Sequence, residues 1–346
     1  VMERPNIVLV TVDSLRADRC SFAGYEQVTT PALDRMAAEG LVFENAVAPG
    51  AITPESMPAI FTGRRPIKRS EDGEAIASRR RRIRRHMRVH DTLPARLSRL
   101  GYTTGAFTPN PWTSRHFDFD RDFDRFEDFM ASDVSSTIWR RMLDGTQSRT
   151  LSASRLLLSW IQGENVFKPW TAYVDDLLSW AGTAEEPYFL WVFLLDVHFP
   201  YLPGAGYRTQ PRWREYEANL RLYLESQRTP YSPRVHDQLT SAYDDAIRFT
   251  DACVRRLRTA LPDDTAFVVH ADHGEAFGEH GTYTHQQALY EENVHVPLVV
   301  TGGQTGSVSR PVSLCSIPDI VTGLARSGRV PDVSKPFVQI GRASCR

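Results

Sequence analysis

The chain has 346 residues, of which 41% are hydrophobic and 24% are charged, and its formal net charge at pH 7 is −1. These values are typical of globular proteins and exclude a disordered or collagen-like chain. The near-neutral charge gives no reason to expect nucleic acid or anionic lipid as a partner. The longest apolar run, residues 188–195, is much shorter than the roughly 20 residues of a membrane-spanning helix, so no membrane span is expected.

The two ends of the chain and its cysteines give further expectations. The first apolar segment, at residues 7–12, lacks the features of a secretion signal, so we expect a cytoplasmic protein. Residues 340–346 match one reading frame of a common sequencing adapter, and we therefore take residues 1–339 as the catalytic domain. The four cysteines have no spacing typical of a zinc site or a disulfide framework.

Strand and helix patterns alternate along the chain. Residues 5–12 form a β-branched run, typical of a strand that is buried on both faces. A helix that begins at Thr30 and Pro31 and ends at Gly40 precedes a strand at residues 41–43. Further elements are predicted at residues 56–61 (helix), 92–100 (helix), 102–107 (strand), 243–261 (helix), 265–270 (strand) and 296–300 (strand). This order predicts an α/β fold with a large, mostly parallel central sheet and helices on both faces.

Two segments interrupt the alternation. Residues 70–90 contain seven arginines between Arg79 and Arg88, and we interpret them as a solvated surface segment in preference to a patch that attracts anions. Residues 130–187 have helical apolar spacing and several tryptophans, which indicates a helical insertion that packs over the sheet. We expect these tryptophans to belong to the core, not to a surface on which a ligand stacks.

Charged and imidazole side chains directly follow two of the predicted strands. Asp13 follows the first strand, and Asp272 and His273 follow the strand that ends at His270. Ligands bind at the carboxyl ends of strands in such sheets, and Gly274 permits the sharp turn that two adjacent ligands need. Two carboxylates and one imidazole suit a divalent cation, with manganese, zinc or iron favoured over calcium or magnesium. Taken alone, Asp13 is also consistent with a helix cap or a turn.

Thr53 lies where a loop enters the predicted helix at residues 56–61. Unpaired backbone N–H groups and the helix dipole make such a position suitable for binding an anion. The alternative is that Thr53 or Ser56 only caps the helix.

Taken together, these segments resemble the sulfatase branch of the alkaline-phosphatase-like hydrolases from residue 5 to about residue 325. The matching motifs are RPNIVLVTVD at 4–13, TPALD at 30–34, GLVFENA at 40–46, TGR at 62–64, GYTT at 101–104, HFPY at 198–201, DHGE at 272–275, GEHG at 278–281, LYE at 289–291 and VP at 296–297. Many separate motifs in one order argue against a chance match. The resemblance implies a smaller C-terminal subdomain, of which we expect much to be missing here.

The resemblance also implies a metal site and a nucleophile. The metal ligands of the family fall on Asp13, Asp272 and His273, and its nucleophile, which also contacts the metal, falls on Thr53. We expect one divalent ion, with manganese or zinc favoured over calcium. A second ion is not expected, because Asp196 and the next histidine are two positions apart where the two-metal subgroup spaces the pair by four.

Two histidines match family residues near the transferred group. His198 matches a histidine that contacts this group or the leaving oxygen, although a purely structural histidine is the alternative. His285 matches the basic residue beyond the Asp-His pair. We therefore expect both to bind substrate and to take part in catalysis. His280 and His295 have no family role and are expected to be structural.

The chain departs from the formylglycine sulfatases at its nucleophile. Those enzymes carry cysteine or serine there, then proline two positions later and arginine two beyond that, whereas this chain has Thr53, Glu55 and Met57. Threonine is not a precursor of formylglycine, so we expect no formylglycine.

A second departure lies after the Gly-Tyr pair, and a third follows the first strand. The lysine and histidine of the family are replaced by Pro109 and Pro111, and Thr108 and Asn110 are the candidates to donate hydrogen bonds to substrate there. The second aspartate that the family has after the first strand is Ser14.

These departures make the chain more similar to threonine-using phosphodiesterases, phosphonate ester hydrolases and phosphoglycerol transferases than to arylsulfatases. We predict a metal-dependent hydrolase of sulfate or phosphate esters that acts on a small molecule, glycan or lipid. A phosphodiester or phosphonate ester is slightly favoured, because a threonine ester cannot release sulfate by hemiacetal collapse. The alternatives are a phosphoglycerol- or phosphoethanolamine-type transferase and a non-catalytic anion-binding relative.

Overall fold

The computed structural model describes residues 4–65, 75–129, 157–158, 160–161, 167–225, 230–336 and 338. The strands within them are β1 (Ile7–Val12), β2 (Leu41–Phe43), β3 (Ala46–Val47), β4 (Thr103–Phe107), β5 (Arg125–Glu127), β6 (Tyr188–Leu194), β7 (Ala266–Ala271), β8 (Ala276–Phe277), β9 (Tyr283–Thr284), β10 (His295–Val296), β11 (Leu298–Val300), β12 (Gly306–Val308) and β13 (Val312–Ser313).

An eight-stranded central sheet has the order β12-β2-β11-β7-β1-β6-β4-β5. The strands β7, β1, β6, β4 and β5 are parallel, and β11 runs antiparallel to both of its neighbours. β1 lies at the centre, where Val10 pairs with Val192 and Val269 and every residue of the strand is buried. The predicted α/β fold with a mostly parallel central sheet is therefore confirmed.

Two groups of helices flank this sheet. The helices are α1 (Pro31–Glu39), α2 (Thr53–Thr62), α3 (Ile76–Val89), α4 (Leu93–Ser98), α5 (Val174–Ala181), α6 (Arg212–Leu224), α7 (Pro233–Ala260), α8 (Glu291–Val294) and α9 (Ile317–Ser327). Helix α7 contacts α1, α5 and α6, whereas α2 contacts α3 and α9, and α9 contacts α4. No helix among the described residues has both the length and the apolar character that crossing a bilayer would require.

Several predicted bounds differ from the structure. Helix α2 begins at Thr53, three residues before the predicted start, and α7 begins at Pro233, where the Ser232 side chain accepts a hydrogen bond from Val235 N. The strand predicted at residues 296–300 is two strands in different sheets, β10 and β11. Pro297 separates them because proline cannot donate a backbone hydrogen bond to a strand ladder.

The apolar run at residues 188–195 forms a central strand. Strand β6 occupies Tyr188–Leu194 between β1 and β4, and all of its residues are buried. The run lacks the alternation of polar and apolar residues that marks a half-exposed strand, because both faces of β6 are covered.

The two interrupting segments are only partly described. The arginine-rich segment contains α3, whose Ile83, His86 and Met87 are buried, so one side of this helix packs against the protein. In the insertion, Trp160 is buried, and the ring of Trp180 fills the space where a side chain on Gly105 would lie. Residues 70–74, most of residues 130–166, and residues 340–346 fall outside the described residues.

Candidate active site

Polar side chains follow four neighbouring strands of the central sheet and lie at one edge of it. Asp13 follows β1, Asp272 follows β7, His198 lies in the loop after β6, and Asn110 lies in the loop after β4. Because these four strands are parallel, their carboxyl ends lie at the same edge. Residues that are far apart in the chain are thereby brought together at the position where ligands bind in such sheets.

Hydrogen bonds orient both carboxylates. Ser14 Oγ donates to Asp13 Oδ1 at 2.7 Å, and Asn110 Nδ2 donates to Asp13 Oδ2 at 2.7 Å. The backbone N–H groups of Ser14 and His273 donate to Asp272 Oδ1 at 3.3 and 2.9 Å. Among the described residues, these hydrogen bonds hold the two aspartates, and neither carboxylate pairs with an arginine or lysine.

Asp13, Asp272 and His273 form a cluster that can hold a metal ion. One ligand atom from each lies within 4.8 Å of the others, and all three residues are buried. The His273 Nε2 atom is 3.5 Å from Asp13 Oδ1 and 3.6 Å from Asp272 Oδ2. The His273 Nδ1–H group faces the Gly274 carbonyl at 2.9 Å, which leaves the Nε2 lone pair directed at the carboxylates.

The donor set fits a divalent cation. Asp272 Oδ2 is buried and has no hydrogen-bond partner among the described residues, which is costly for a carboxylate oxygen unless a cation binds it. Burial raises the pKa of Asp13, and burial raises the pKa of Asp272 to about 7. Burial also lowers the pKa of His273 to about 4, which keeps the imidazole neutral as a metal ligand must be.

Thr53 joins this cluster from the first position of α2. Its Oγ1 atom lies 3.2 Å from His273 Nε2, and its side chain is buried. Ser56, on the same side of the helix, donates from Oγ to the Asp272 carbonyl at 2.5 Å, which attaches α2 to the turn after β7. The helix N-cap is Ile52, and no side chain caps it, so the interpretation of Thr53 or Ser56 as a cap is wrong.

The backbone at the start of α2 offers fewer free donors than the sequence suggested. The N–H groups of Glu55 and Ser56 both donate to the Ile52 carbonyl at 3.0 Å. Residue 54 is proline and has no N–H group. Anion binding at this helix end would therefore depend mainly on side chains.

His285 and His198 lie next to the cluster. The ring centroid of His285 is 4.6 Å from that of His273 and 4.9 Å from that of His198. Glu275 Oε1 lies 3.1 Å from His285 Nδ1, and Tyr201 donates to Glu275 Oε2 at 2.9 Å. Burial alone would lower the pKa of His285, but the Glu275 carboxylate outweighs it and the pKa rises to about 9.

His198 has the opposite protonation state. Its Nδ1 atom lies 2.5 Å from the Phe199 carbonyl, so Nδ1 carries the proton and Nε2 has a free lone pair. Burial lowers the pKa of His198 to about 4. The site thus holds a charged and a neutral imidazole side by side at neutral pH.

Three further residues from the sequence analysis, Thr108, His280 and His295, have contacts other than the candidate metal ligands. The Thr108 hydroxyl lies 2.5 Å from Thr113 Oγ1 and accepts a hydrogen bond from Asn110 N, so its described partners belong to its own loop. His280 stacks on the Tyr290 ring, and His295 Nε2 lies 2.9 Å from the Glu44 carbonyl.

The sequence patterns indicated no role for Glu275, Tyr201 or the Ser14 hydroxyl, and for Ser56 they indicated only a helix cap. A glutamate directly after Asp-His-Gly was the one available signal, because a carboxylate at a buried turn needs a partner. The contacts of Tyr201 and Ser56 depend on how distant segments pack, for which the sequence carries no local pattern.

Known proteins share both the sequence features and the fold. Residues 5–323 match the family described as Sulfatase. The chain is 26% identical over 344 residues to iduronate 2-sulfatase of Homo sapiens, in an alignment that covers 88% of this chain and 60% of that protein. The chain thus spans about 60% of the length of this curated relative.

Two solved structures have a similar fold at low sequence identity. Phosphonate monoester hydrolase of Agrobacterium radiobacter matches with a TM-score of 0.65 and 18% identity, over 96% of this chain and 79% of that chain. Lipooligosaccharide phosphoethanolamine transferase A of Neisseria meningitidis matches with a TM-score of 0.65 and 17% identity, over 96% of this chain and 56% of that chain. Since the family match extends over most of the chain and the fold agrees with it, the protein belongs to the sulfatase family.

Proposed function

We propose that the protein is a metal-dependent hydrolase of phosphate or sulfate esters in which Thr53 is the nucleophile. The observation that carries this proposal is the position of Thr53 Oγ1, 3.2 Å from His273 Nε2 and beside two buried carboxylates. Membership in the sulfatase family supports ester chemistry at this site.

Asp13, Asp272 and His273 would hold one divalent ion, and Thr53 would be adjacent to it. Two carboxylates and one imidazole suit zinc or manganese better than calcium. When bound, the ion would lower the pKa of the Thr53 hydroxyl and neutralise negative charge on the substrate.

Thr53, His285 and His198 would act as nucleophile, general acid and general base. The Thr53 hydroxyl gives its proton to solvent, and its oxygen forms a bond to phosphorus or sulfur while the bond to the leaving oxygen breaks. His285, protonated at neutral pH, gives a proton to the leaving oxygen. Water then attacks phosphorus or sulfur, His198 Nε2 accepts a proton from this water, and the bond to the Thr53 oxygen breaks. The proton passes from His198 to the Thr53 oxygen, and His285 regains a proton from solvent.

Asn110 has a supporting role in this proposal. Its amide donates to Asp13 Oδ2, so it orients a proposed metal ligand while it lies at the same edge as the substrate. Thr108 would bind substrate only after its hydroxyl exchanged the Thr113 contact for one to the substrate.

A phosphodiester or phosphonate ester is slightly favoured over a sulfate ester. A formylglycine adduct can expel sulfate by hemiacetal collapse, whereas a threonine ester must be opened by water at phosphorus or sulfur. The fold shared with a phosphonate monoester hydrolase is consistent with this preference.

The proposal is tested with a panel of phosphate monoesters, phosphodiesters, phosphonate esters and sulfate esters in the presence of zinc or manganese. We expect Thr53→Ala to lower kcat by roughly a thousandfold or more, because the nucleophile is lost, and Thr53→Ser to retain part of the activity. Mass spectrometry of the peptide that contains Thr53 should show an unmodified threonine.

Thr183→Ala is the matched control, since Thr183 is exposed and precedes β6 at the opposite edge of the sheet. It should leave kcat unchanged. If the metal-loaded protein turned over no ester of the panel, the alternative of a non-catalytic anion-binding relative would be favoured. If Thr53→Ala were as active as the wild type, Thr53 would not be the nucleophile.

A transferase is the second candidate, supported by the fold shared with a phosphoethanolamine transferase. Its first half-reaction would be the same, and an alcohol would replace water in the second. Product analysis with an added sugar or glycerol acceptor distinguishes the two. Transfer to the alcohol in preference to water would favour the transferase.

A further inference from the structure

Helix α3 carries an unusual concentration of positive charge. Its sequence, IASRRRRIRRHMRV, contains seven arginines and no acidic residue, whereas the whole chain has a net charge of −1. Two of these arginines, Arg84 and Arg88, pair with the same Asp118 carboxylate at 2.9 and 2.6 Å. Arg80, Arg81 and Arg85 are exposed and have no ion pair within the described part of the chain.

A cavity of about 810 Å³ lies between α3 and α2. Pro54 and Pro58 of α2 form one wall, and Ile83 and Val89 add apolar surface from α3. The Arg81 and Arg85 side chains also line this cavity. Val89 is 65% exposed, so an apolar surface next to the unpaired guanidinium groups remains uncovered by the described residues.

The cavity is separated from the candidate active site by the width of one helix. Thr53 and Ser56 face the Asp272 turn, whereas Pro54 and Pro58, one turn apart, face α3. An α-helix with its side chains is roughly 10–12 Å across, which sets the approximate distance between the two binding positions. Pro54 directly follows Thr53, so the cavity wall and the candidate nucleophile are adjacent positions of one helix.

We propose that this cavity binds a second anionic group of the substrate, so that the substrate is an ester with at least two anionic groups about one helix width apart. Guanidinium groups bind sulfate, phosphate and carboxylate through paired hydrogen bonds, and the apolar wall would contact the part of the substrate between the anions. The inference rests on the proposed function, because it places the first anionic group beside Thr53.

Unreactive sulfonates test the inference by binding alone. We expect biphenyl-4,4'-disulfonate to bind the zinc-loaded protein roughly three- to tenfold more tightly than biphenyl-4-sulfonate in calorimetry, as two partly exposed guanidinium groups allow. Benzene-1,3-disulfonate, with its two charges closer together, should show no such gain over benzenesulfonate. Arg81→Ser/Arg85→Ser should abolish the gain, and Arg81→Lys/Arg85→Lys should retain part of it.

The matched control is Arg214→Ser/Arg255→Ser, which removes the same charge from exposed positions that do not line the cavity. It should keep the full gain. If the control variant lost the affinity gain equally, the gain would come from the overall positive charge of the protein, and the inference would be wrong. The inference would also be wrong if Arg81→Ser/Arg85→Ser left the gain intact, or if it weakened binding of nucleic acid or anionic vesicles but not of the disulfonate.

The binding experiment separates this inference from the proposed function. If the disulfonate gain depends on Arg81 and Arg85 but no ester is hydrolysed, the cavity inference holds and the proposed reaction fails. If Thr53 is essential for hydrolysis but the gain is absent, the reaction holds and the cavity inference fails. Urea unfolding of each variant should show a midpoint equal to that of the wild type, because the substituted side chains are exposed.

Discussion

The turn after β7 places two candidate metal ligands, Asp272 and His273, in one cluster, and this turn depends on single residues. Asp272 and His273 are adjacent, yet each supplies a ligand atom to the same cluster, because the chain bends at Asp272 and then runs beside α8. The Gly274 and Glu275 N–H groups donate to the Asn293 and Glu292 carbonyls at 2.9 and 3.0 Å. The turn therefore needs a residue without a side chain at position 274.

We expect Gly274→Ala to disturb this turn. A Cβ atom at this position would lie 2.0 Å from the Glu292 carbonyl oxygen, so the backbone would have to move. The expected loss in the free energy of unfolding is about 1–3 kcal/mol, with weaker metal binding because His273 is displaced. Urea unfolding and metal titration measure the two effects.

Gly206→Ala serves as the comparison for Gly274→Ala, since a Cβ atom at Gly206 would contact nothing within 4 Å. Its stability and metal affinity should stay close to those of the wild type. Equal behaviour of the two variants would show that the turn tolerates a side chain.

At the scale of elements, the packing of α3 on α2 depends on a buried histidine. His86 Nε2 lies 2.8 Å from Thr62 Oγ1, and Ile83 and Met87 are buried with it. An arginine-rich helix can pack against the protein because these three residues form one buried side, while the arginines occupy the others.

The protonation of His86 should make this packing sensitive to acid. Burial, followed by the charge of His90, lowers the pKa of His86 from 6.5 to about 4. Since the unfolded chain binds this proton more readily than the folded one, stability is lost as the pH falls from about 6.5 towards 4. The loss attributable to His86 would be on the order of 2–3 kcal/mol at pH 4.

Urea unfolding at several pH values checks this prediction in the wild type and in His86→Gln. The variant should lose less stability between pH 6.5 and 4 than the wild type. His116→Gln, which changes an exposed histidine, should follow the wild-type curve. The same pH dependence in all three proteins would contradict the assignment.

For the whole molecule, the carboxyl groups at the ends of β1 and β7 suit a metal site but lower the stability of the metal-free fold. Buried carboxylates at the ends of β1 and β7 destabilise the metal-free fold, because burial raises the pKa of Asp13 and raises that of Asp272 to about 7. A carboxyl group with a raised pKa in the folded state costs stability above its unfolded pKa of 3.8, and the full cost is reached above about pH 7.

Asp272→Asn should therefore stabilise the protein at pH 8 in the presence of a chelator, by roughly 1–3 kcal/mol. With zinc or manganese at a thousand times Kd the wild type should become the more stable protein, since it gains about 4.1 kcal/mol from the metal and the variant has lost a ligand. Thermal unfolding with chelator and with metal measures both effects.

Asp263→Asn is the control for Asp272→Asn, because Asp263 is fully exposed in the loop before β7. It should change stability little under either condition. A wild type whose unfolding temperature did not respond to any divalent ion would argue against a metal site at this edge.

Much of this molecule follows from the sequence alone. The β-branched run before Asp13, the proline and glycine that bound α1, and the strand before Asp272 are local patterns, and they predicted the parallel sheet. The residue types at the strand ends also pointed to a cation site, because parallel strands with polar residues at their carboxyl ends must bring those residues to one edge.

Only the tertiary structure decided the contacts that make the site specific. Asn110 donates to Asp13 across 97 residues of chain, and Thr53 lies beside His273 across 220. The pairing of Glu275 with His285 separates the protonation states of two neighbouring histidines. Such distances and pKa values depend on burial and on packing between distant segments, whereas sequence patterns report only the periodicity and turn chemistry of neighbouring residues.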